Sequence, residues 1–173
     1  MSAGRKSNST KKDWNTPPKY INAVLNVLGE IDLDPCSNNF SQVPSNNKFT
    51  LPTDGLKEVW NYKTIYVNPP YGRDSENKTS IYNWIDKGIF SNHEYGSELI
   101  YLIPVATNTK HFKELIFNYF TSICFLNDTR LKFWNEGKED IKGAPMACCM
   151  CYLGNNYNKF KEVFCEYGKV FKL

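Results

Sequence analysis

Short apolar runs alternate with amphipathic helical patterns along this chain, and this alternation restricts its fold more than any other feature. The apolar runs predict strands at residues 31–33, 64–67, 99–104 and 123–126. The helical patterns repeat apolar side chains at i, i+3, i+4 and i+7, as in residues 21–28. Strands that alternate with helices favour a mainly parallel sheet with helices on both faces. We therefore predict an α/β fold.

The limits of the first helix follow from the residues around it. Thr16 is the expected N-cap, Pro17 suits the first turn, and Gly29 is expected to end the helix. Further helices are predicted around residues 81–89, 112–119 and 157–164, and a last short strand at 169–173.

Polar and turn-forming residues predict what lies between these elements. Residues 38–53 are rich in Asn, Ser and Pro and are interpreted as a loop. Residues 56–60 suit one or two helical turns. Residues 130–134 and 145–153 flank a polar loop and predict an antiparallel hairpin at one side of the sheet.

The composition is that of one globular domain. The chain has 173 residues, of which 41% are hydrophobic and 23% charged. Residues 1–12 are polar and basic and are expected to form a disordered tail, which leaves a single domain over residues 13–173. The longest apolar run, residues 99–105, is far shorter than a membrane span, and no secretory signal precedes it. The sequence thus predicts a cytoplasmic protein without membrane contact.

The six cysteines are accordingly expected to stay reduced. Cys148 and Cys151 form a CxxC pair inside an apolar run, but His93 and His111 supply no matching pair of zinc ligands. These cysteines are interpreted as small buried strand residues, with metal or redox chemistry as the alternative. No metal site is predicted.

The net charge of +3 is small for a protein that coats nucleic acid. A contact with nucleic acid would therefore use a local basic patch. Only three of the 21 basic residues are Arg, so each Arg is a candidate for a specific contact.

The turn Asn68-Pro69-Pro70-Tyr71 directly follows the predicted strand 64–67 and is the sharpest motif of the sequence. Ligands of open α/β sheets lie at the carboxyl ends of the strands. Two consecutive prolines stiffen the backbone and remove two N–H donors, so the carbonyls of the turn are free to accept hydrogen bonds. The Asn68 oxygen is a further acceptor, beside the flat ring of Tyr71. Such a turn suits a planar ligand that carries an amino group, whereas a rigid strand-ending turn with a packed tyrosine is the alternative.

This motif resembles the catalytic motif of S-adenosylmethionine-dependent amino methyltransferases. The order and spacing of several further segments resemble the phage-type DNA adenine-N6 methyltransferase (Dam) family. These segments are residues 13–17 (DWNTP), 32–37 (DLDPCS), 53–56 (TDGL), 102–104 (LIP) and 130–133 (RLKF). The resemblance covers residues 13–154. It implies a compact Rossmann-like methyltransferase domain with a mainly parallel sheet and a C-terminal antiparallel hairpin.

The resemblance also implies roles for individual residues. Asn68, Pro69, Pro70 and Tyr71 would form the catalytic turn, with Tyr71 stacking on a flipped adenine and Phe133 as the second stacking face. The implied S-adenosylmethionine site comprises Trp14, Thr16, Pro17, Asp34, Pro35, Cys36, Ser37, Asp54 and Asn68. The implied DNA contacts are Arg73, Arg130, Lys132 and Phe133.

Some of these assignments have alternatives. The glycine-rich turn of many methyltransferases is replaced here by Pro35-Cys36-Ser37, and the stretch up to Asn68 is short for a full Rossmann-like half. Cys36 after Pro35 resembles the nucleophile of cytosine-C5 methyltransferases, but no Glu-Asn-Val motif accompanies it. Arg130 suits either a phosphate or an ion pair with Asp128.

We predict that the protein transfers a methyl group from S-adenosylmethionine to N6 of an adenine flipped out of double-stranded DNA. The tetrapeptide alone also suits cytosine N4, RNA or a protein glutamine, and a non-catalytic DNA-binding module is the alternative from another class. A chain this short holds little beyond the core. The target DNA sequence must then be selected in one of two ways. Loops inserted in the core could contact it, at residues 38–50, 72–80 and 135–143, or a second copy of the protein in a homodimer could do so. A phage origin would place the enzyme in the bacterial host.

Overall fold

The central sheet orders the strands differently from the chain. The computed structural model describes residues 14–140 and 143–173, so the predicted tail over residues 1–12 lies outside the described part. The strands in chain order are β1 (Ile31–Ser37), β2 (Ser45–Thr50), β3 (Thr64–Val67), β4 (Glu98–Pro104), β5 (Ser122–Leu126), β6 (Trp134–Asn135), β7 (Lys138–Glu139), β8 (Cys148–Leu153) and β9 (Gly168–Lys172). Within the described ranges, seven of them form one sheet in the order β2-β1-β3-β4-β8-β5-β9.

The pairing confirms a mainly parallel sheet with added antiparallel strands. The pairs β1–β2, β1–β3 and β3–β4 are parallel. β8 is antiparallel to both of its neighbours, β4 and β5, and β9 is antiparallel to β5. Strands β1 to β5 therefore share one direction. Because β1 and β3 are parallel neighbours, the residues that follow them meet at the same edge of the sheet.

Helices cover both faces of the sheet, as predicted. They are α1 (Pro18–Leu28), α2 (Ile81–Tyr95), a π-helical turn (Phe112–Ile116) that runs into the short α3 (Phe117–Tyr119), and α4 (Tyr157–Phe164). On one face, Tyr20 and Val24 of α1 and Phe160 of α4 share a buried cluster with sheet residues. On the other face, Ile85 of α2 and Phe112 do the same. Full burial of such side chains contributes about 1.5–3 kcal/mol each.

The start of α1 differs from the prediction. The N-cap is Pro17 and forms no side-chain cap bond, whereas the Thr16 hydroxyl is engaged by Tyr66 at 2.7 Å. Thr16 is therefore not the cap, because a tertiary hydrogen bond has taken its side chain. The helix ends at Gly29, whose φ of 81° suits glycine.

Two local predictions between β1 and β3 are wrong. The predicted loop over residues 38–53 contains β2, a polar strand at the edge of the sheet. The polar side chains of β2 lack the apolar pattern by which strands are found, because an edge strand buries little. Residues 56–60 form turns rather than a helix.

The hairpin predicted from residues 130–134 and 145–153 is also paired differently. β6 pairs with β7 in a small separate ribbon, and residues 130–133 form no strand. β8 instead enters the central sheet between β4 and β5. Its six residues are all buried, and an apolar strand of this kind gains more from a central position than from a ribbon at the surface.

The interpretation of Cys148 and Cys151 as buried strand residues is confirmed, since both lie in β8. Across the described ranges, no three His, Cys, Asp or Glu side chains are grouped as metal ligands. No helix in these ranges has the length and apolar character needed to cross a membrane.

Candidate active site

The Asn68-Pro69-Pro70-Tyr71 turn begins where β3 ends. All four residues of β3 are buried, and Asn68 is the first half-buried residue after them. Pro69 is buried and Pro70 is exposed. The two prolines stop the strand, because they cannot donate to a neighbouring strand. The turn thus leaves the sheet at the edge where β1 also ends.

The orientation of the Asn68 amide is set by the residues before α1. Asn68 Nδ2 donates to the Trp14 carbonyl oxygen at 2.7 Å and to Thr16 Oγ1 at 3.3 Å. A primary amide has two N–H donors, so these two bonds use both of them. Oδ1 then points away from Trp14 and Thr16. The geometry presents Asn68 Oδ1 as an acceptor for a ligand.

Thr16 is itself held by a buried tyrosine. Its Oγ1 lies 2.7 Å from the hydroxyl of Tyr66, which is 1% exposed. Burial raises the pKa of Tyr66 above its ordinary value, so the phenol stays protonated. Tyr66 was not predicted as a site residue. A tyrosine between Ile65 and Val67, two residues before the motif, was the available signal, because a buried hydroxyl needs a partner.

Three aromatic rings pack beside the turn. Trp14 and Phe133 are stacked, and Tyr71 meets both rings edge-on, at centroid distances of 6.2 Å and 6.0 Å. The Tyr71 hydroxyl donates to the Leu102 carbonyl at 3.1 Å, and burial raises the pKa of Tyr71 well above its ordinary range. Tyr71 is half-buried, whereas Phe133 is 1% exposed. Of the two predicted stacking rings, Tyr71 is therefore the more open one.

The segment before α1 is tied to two other parts of the chain. Asn15 and Trp134 exchange two backbone hydrogen bonds, each of 2.8 Å. Asn38 Nδ2 donates to Asn15 Oδ1 at 2.9 Å. Four parts of the chain thus converge here: residues 14–17, the end of β1, the turn at Asn68 and the segment near Phe133. The sequence alone did not single out Asn15, Asn38 or Trp134.

The turn after β1 is organised by a buried carboxylate. Asp34 accepts hydrogen bonds from the Cys36 backbone N–H and the Ser41 hydroxyl, both at 3.1 Å. Burial still raises the pKa of Asp34, although these bonds oppose the shift. Ser37 Oγ is buried beside this carboxylate and, within the described ranges, has no hydrogen bond of ordinary geometry. Its proximity to Asp34 lowers the pKa of that carboxyl and so opposes the effect of burial.

The surroundings of Cys36 disfavour the thiolate. Burial, followed by the nearby charge of Asp34, raises the pKa of its thiol well above the ordinary value. The thiolate is the reactive form of cysteine, and here it is disfavoured. The geometry thus agrees with the interpretation of Cys36 as a small residue under a turn.

Asp54 lies next to the β1 turn through its neighbour Gly55. A Cβ on Gly55 would stand 2.2 Å from the Pro35 carbonyl oxygen, so only glycine allows this approach. The Asp54 carboxylate accepts the Leu56 N–H at 3.0 Å and pairs with Lys57 at 3.6 Å. Its side chain is 34% exposed, which leaves it accessible.

A cleft of about 440 Å³ opens between the start of α1 and the segment that follows β5. It is lined by Pro17, Pro18, Lys19, Asp128, Arg130, Leu131, Lys132, Trp134 and Glu139. Asp128 pairs with Lys19 at 2.9 Å rather than with Arg130. Lys132 pairs with Glu139 at 3.5 Å. The exposed Arg130 therefore enters the cleft with no ion pair to a residue of the described ranges.

The predicted site residues fall into two connected groups and one outlier. The turn at Asn68 is in contact with Trp14 and Thr16, and parallel pairing brings the β1 turn to the same edge. Arg130 and Lys132 line the cleft at the start of α1. Arg73 lies in the exposed loop that follows the motif, and it is not among the described residues that line this cleft.

A family model described as DNA N-6-adenine-methyltransferase (Dam) matches residues 4–170, almost the whole chain. A search of curated proteins found no match.

Proposed function

This chain belongs to the DNA N-6-adenine-methyltransferase (Dam) family, and on that premise we propose which of its residues carry out the reaction. It is an S-adenosylmethionine-dependent enzyme that methylates N6 of adenine in DNA.

The orientation of the Asn68 amide is the observation that carries the proposal. Its Oδ1 is left as an acceptor because Trp14 and Thr16 take both N–H groups. The Pro69 carbonyl is the second acceptor of this turn. The exocyclic amine of adenine carries two N–H groups, so Asn68 and Pro69 together match its donors. The fixed backbone of Pro69 and Pro70 keeps the acceptors in place before the substrate arrives.

The same acceptors activate the amine. The lone pair of the adenine amine is delocalised into the ring while the amine stays planar. Two acceptors that hold its N–H groups in a tetrahedral rather than a planar arrangement reduce that delocalisation. S-adenosylmethionine, when bound, supplies an electrophilic methyl group. Asn68 needs no negative charge, because the amine loses its proton only after the new bond forms. Orientation and exclusion of water are then the main contributions of the protein.

Tyr71 is the proposed ring against the flipped adenine. Its hydroxyl is anchored to the Leu102 carbonyl, which fixes the plane of the ring. Phe133 takes part as a second face of the same aromatic cluster, with Trp14 stacked on it. Stacking on a ring offsets part of the free energy that is lost when a base leaves the duplex.

The residues of the β1 edge fit S-adenosylmethionine. The Ser37 hydroxyl is a buried polar group without an ordinary hydrogen bond in the described ranges, and Asp54 offers an accessible carboxylate. These two groups can form hydrogen bonds with the hydroxyl and ammonium groups of S-adenosylmethionine. Asp54 is proposed to contact its ribose or its adenine ring. The turn at Asp34, Pro35 and Cys36 would shape the site, and Trp14, Thr16, Pro17 and Asn68 would border it.

Arg73, Arg130 and Lys132 are the proposed DNA contacts. Arg130 and Lys132 line the cleft at the start of α1, where their charges would attract phosphates.

The parallel order of β1, β3 and β4 supports a Rossmann-like core. The proposed single domain spans residues 13–173. It remains a prediction that loops or a homodimer select the target sequence. It also remains a prediction that the protein has a phage origin and acts in the bacterial host.

Product analysis tests the function. The protein is incubated with methyl-labelled S-adenosylmethionine and, in parallel, DNA, RNA and a protein mixture, and the products are digested and analysed by mass spectrometry. We expect label in N6-methyl-2′-deoxyadenosine from the DNA sample. Label only in N4-methyl-2′-deoxycytidine, in RNA or in protein would contradict the proposal, and no label in any acceptor would favour a binding module.

A further inference from the structure

We infer that Tyr66 and Thr16 are positioning residues for Asn68, and that they act in series. The inference rests on the proposed role of Asn68 as an acceptor for the target amine. Tyr66 holds the Thr16 hydroxyl, Thr16 holds one N–H of Asn68, and Asn68 Oδ1 is thereby kept toward the substrate.

The three contacts form one continuous chain. The Tyr66 hydroxyl lies 2.7 Å from Thr16 Oγ1, and Asn68 Nδ2 lies 3.3 Å from the same oxygen. The Trp14 carbonyl, at 2.7 Å from Nδ2, completes the set. A carbonyl only accepts hydrogen bonds, so it selects the amide orientation in which Nδ2 faces inward. A flipped amide would place two acceptors against each other.

The direction of the Tyr66–Thr16 bond does not alter this result. If Thr16 donates to Tyr66, its oxygen still accepts from Asn68. If Tyr66 donates instead, Thr16 Oγ1 accepts from both residues. In either case Thr16 is the acceptor that prevents Asn68 from rotating about its side chain while the Trp14 bond persists.

Burial makes the chain of contacts rigid. Tyr66 is 1% exposed and Thr16 is 3% exposed, so water does not readily replace either hydroxyl. Within the described ranges, the Tyr66 hydroxyl forms its hydrogen bond with Thr16. In these hydrogen bonds Thr16 stands between Tyr66 and Asn68, so an effect of Tyr66 on Asn68 should depend on the Thr16 hydroxyl.

A double-mutant cycle tests the series arrangement. Thr16→Val removes the acceptor at nearly constant volume, and we expect kcat to fall about tenfold, since one oriented hydrogen bond is lost. Tyr66→Phe is expected to lower kcat less. The double variant should match Thr16→Val alone, because Tyr66 has no route to Asn68 once the Thr16 hydroxyl is gone. Additive losses in the double variant would overturn the series arrangement.

The KM values separate positioning from cofactor binding. Tyr66 lies outside the proposed cofactor site, so for Tyr66→Phe we expect kcat to fall while the KM for S-adenosylmethionine stays unchanged within about twofold. A rise in that KM with kcat unchanged would overturn the positioning role. Thr16→Ser keeps the hydroxyl and should lose less of kcat than Thr16→Val; an equal loss would count against the inference.

Tyr101→Phe is the matched control. The Tyr101 hydroxyl is also buried and donates to the Trp84 carbonyl at 3.0 Å, on the opposite face of the sheet. Its removal costs a comparable buried hydrogen bond, so a general loss of stability would appear in both tyrosine variants. We expect kcat to fall in Tyr66→Phe and to stay at the parental value in Tyr101→Phe. Equal kcat losses in the two variants would overturn the inference.

A spectroscopic readout is independent of turnover. The Asn68 side-chain NH₂ pair in a ¹⁵N–¹H spectrum, assigned from its disappearance in Asn68→Ala, should shift in Thr16→Val and Tyr66→Phe but not in Tyr101→Phe. An unmoved pair in Thr16→Val would overturn the inference. Full activity of Asn68→Ala would instead refute the proposed function, so the two failures are distinguishable.

Discussion

Trp14 stacks on Phe133 with ring centroids 5.2 Å apart and ring planes 13° apart. The contact joins the first residue that the structure describes to the segment that follows β5. Because the backbone carbonyl of Trp14 also accepts a hydrogen bond from Asn68, the stack fixes one wall of the candidate active site. A change at Phe133 is therefore transmitted to the catalytic turn through the position of Trp14.

Replacement of Phe133 is expected to destabilise the fold. Phe133 is 1% exposed, so Phe133→Ala should lower the free energy of unfolding by about 3–5 kcal/mol, as measured by urea denaturation. Trp14→Ala should cost less, because Trp14 is half-buried. A Phe133→Ala variant with parental stability would contradict this packing role.

Removal of the Arg130 charge is expected to weaken DNA binding. Arg130→Ala should raise the Kd for a DNA duplex several-fold and lower the slope of log K against log salt by about one. Fluorescence anisotropy over a range of salt concentrations measures both quantities. Lys63→Ala, at the exposed residue before the amino end of β3, is the control. Equal effects of the two variants would mean that the cleft is not a specific phosphate contact.

The cysteines are expected to differ sharply in reactivity. Cys165 is exposed and should react rapidly with a disulfide reagent in the folded protein, so one fast equivalent is predicted. The half-buried Cys36 should react slowly, because burial raises the pKa of its thiol and disfavours the thiolate. Its rate should increase as the pH rises. Cys165→Ser should abolish the fast phase; a remaining fast equivalent would show that another thiol is accessible.

Much of the site could be predicted because its signals are local. The apolar strand before Asn68 and the two prolines after it are read directly from the sequence, and the turn forms as expected. The contact between Thr16 and Tyr66 could not be predicted. Thr16 looks like a helix cap, and only the tertiary fold brings it to a tyrosine in β3.

The sheet was predictable to a similar degree. Apolar strands such as β4 were found, because burial on both faces leaves a continuous apolar run. The polar edge strand β2 was missed, since it buries too little to show a pattern. The place of β8 between β4 and β5 was also missed, because the partner of a strand depends on distant segments.

Methylation of DNA by Asn68→Ala tests the central claim most directly. The assay measures incorporation of labelled methyl groups into DNA and the content of N6-methyl-2′-deoxyadenosine. Asn118→Ala, which alters an exposed amide on α3, is measured in parallel. We expect Asn68→Ala to lower the rate by about a hundredfold or more, as loss of an oriented transition-state contact does. Its thermal unfolding should stay close to that of the parent, and Asn118→Ala should keep the parental rate. Methylation by Asn68→Ala at the parental rate would contradict the account.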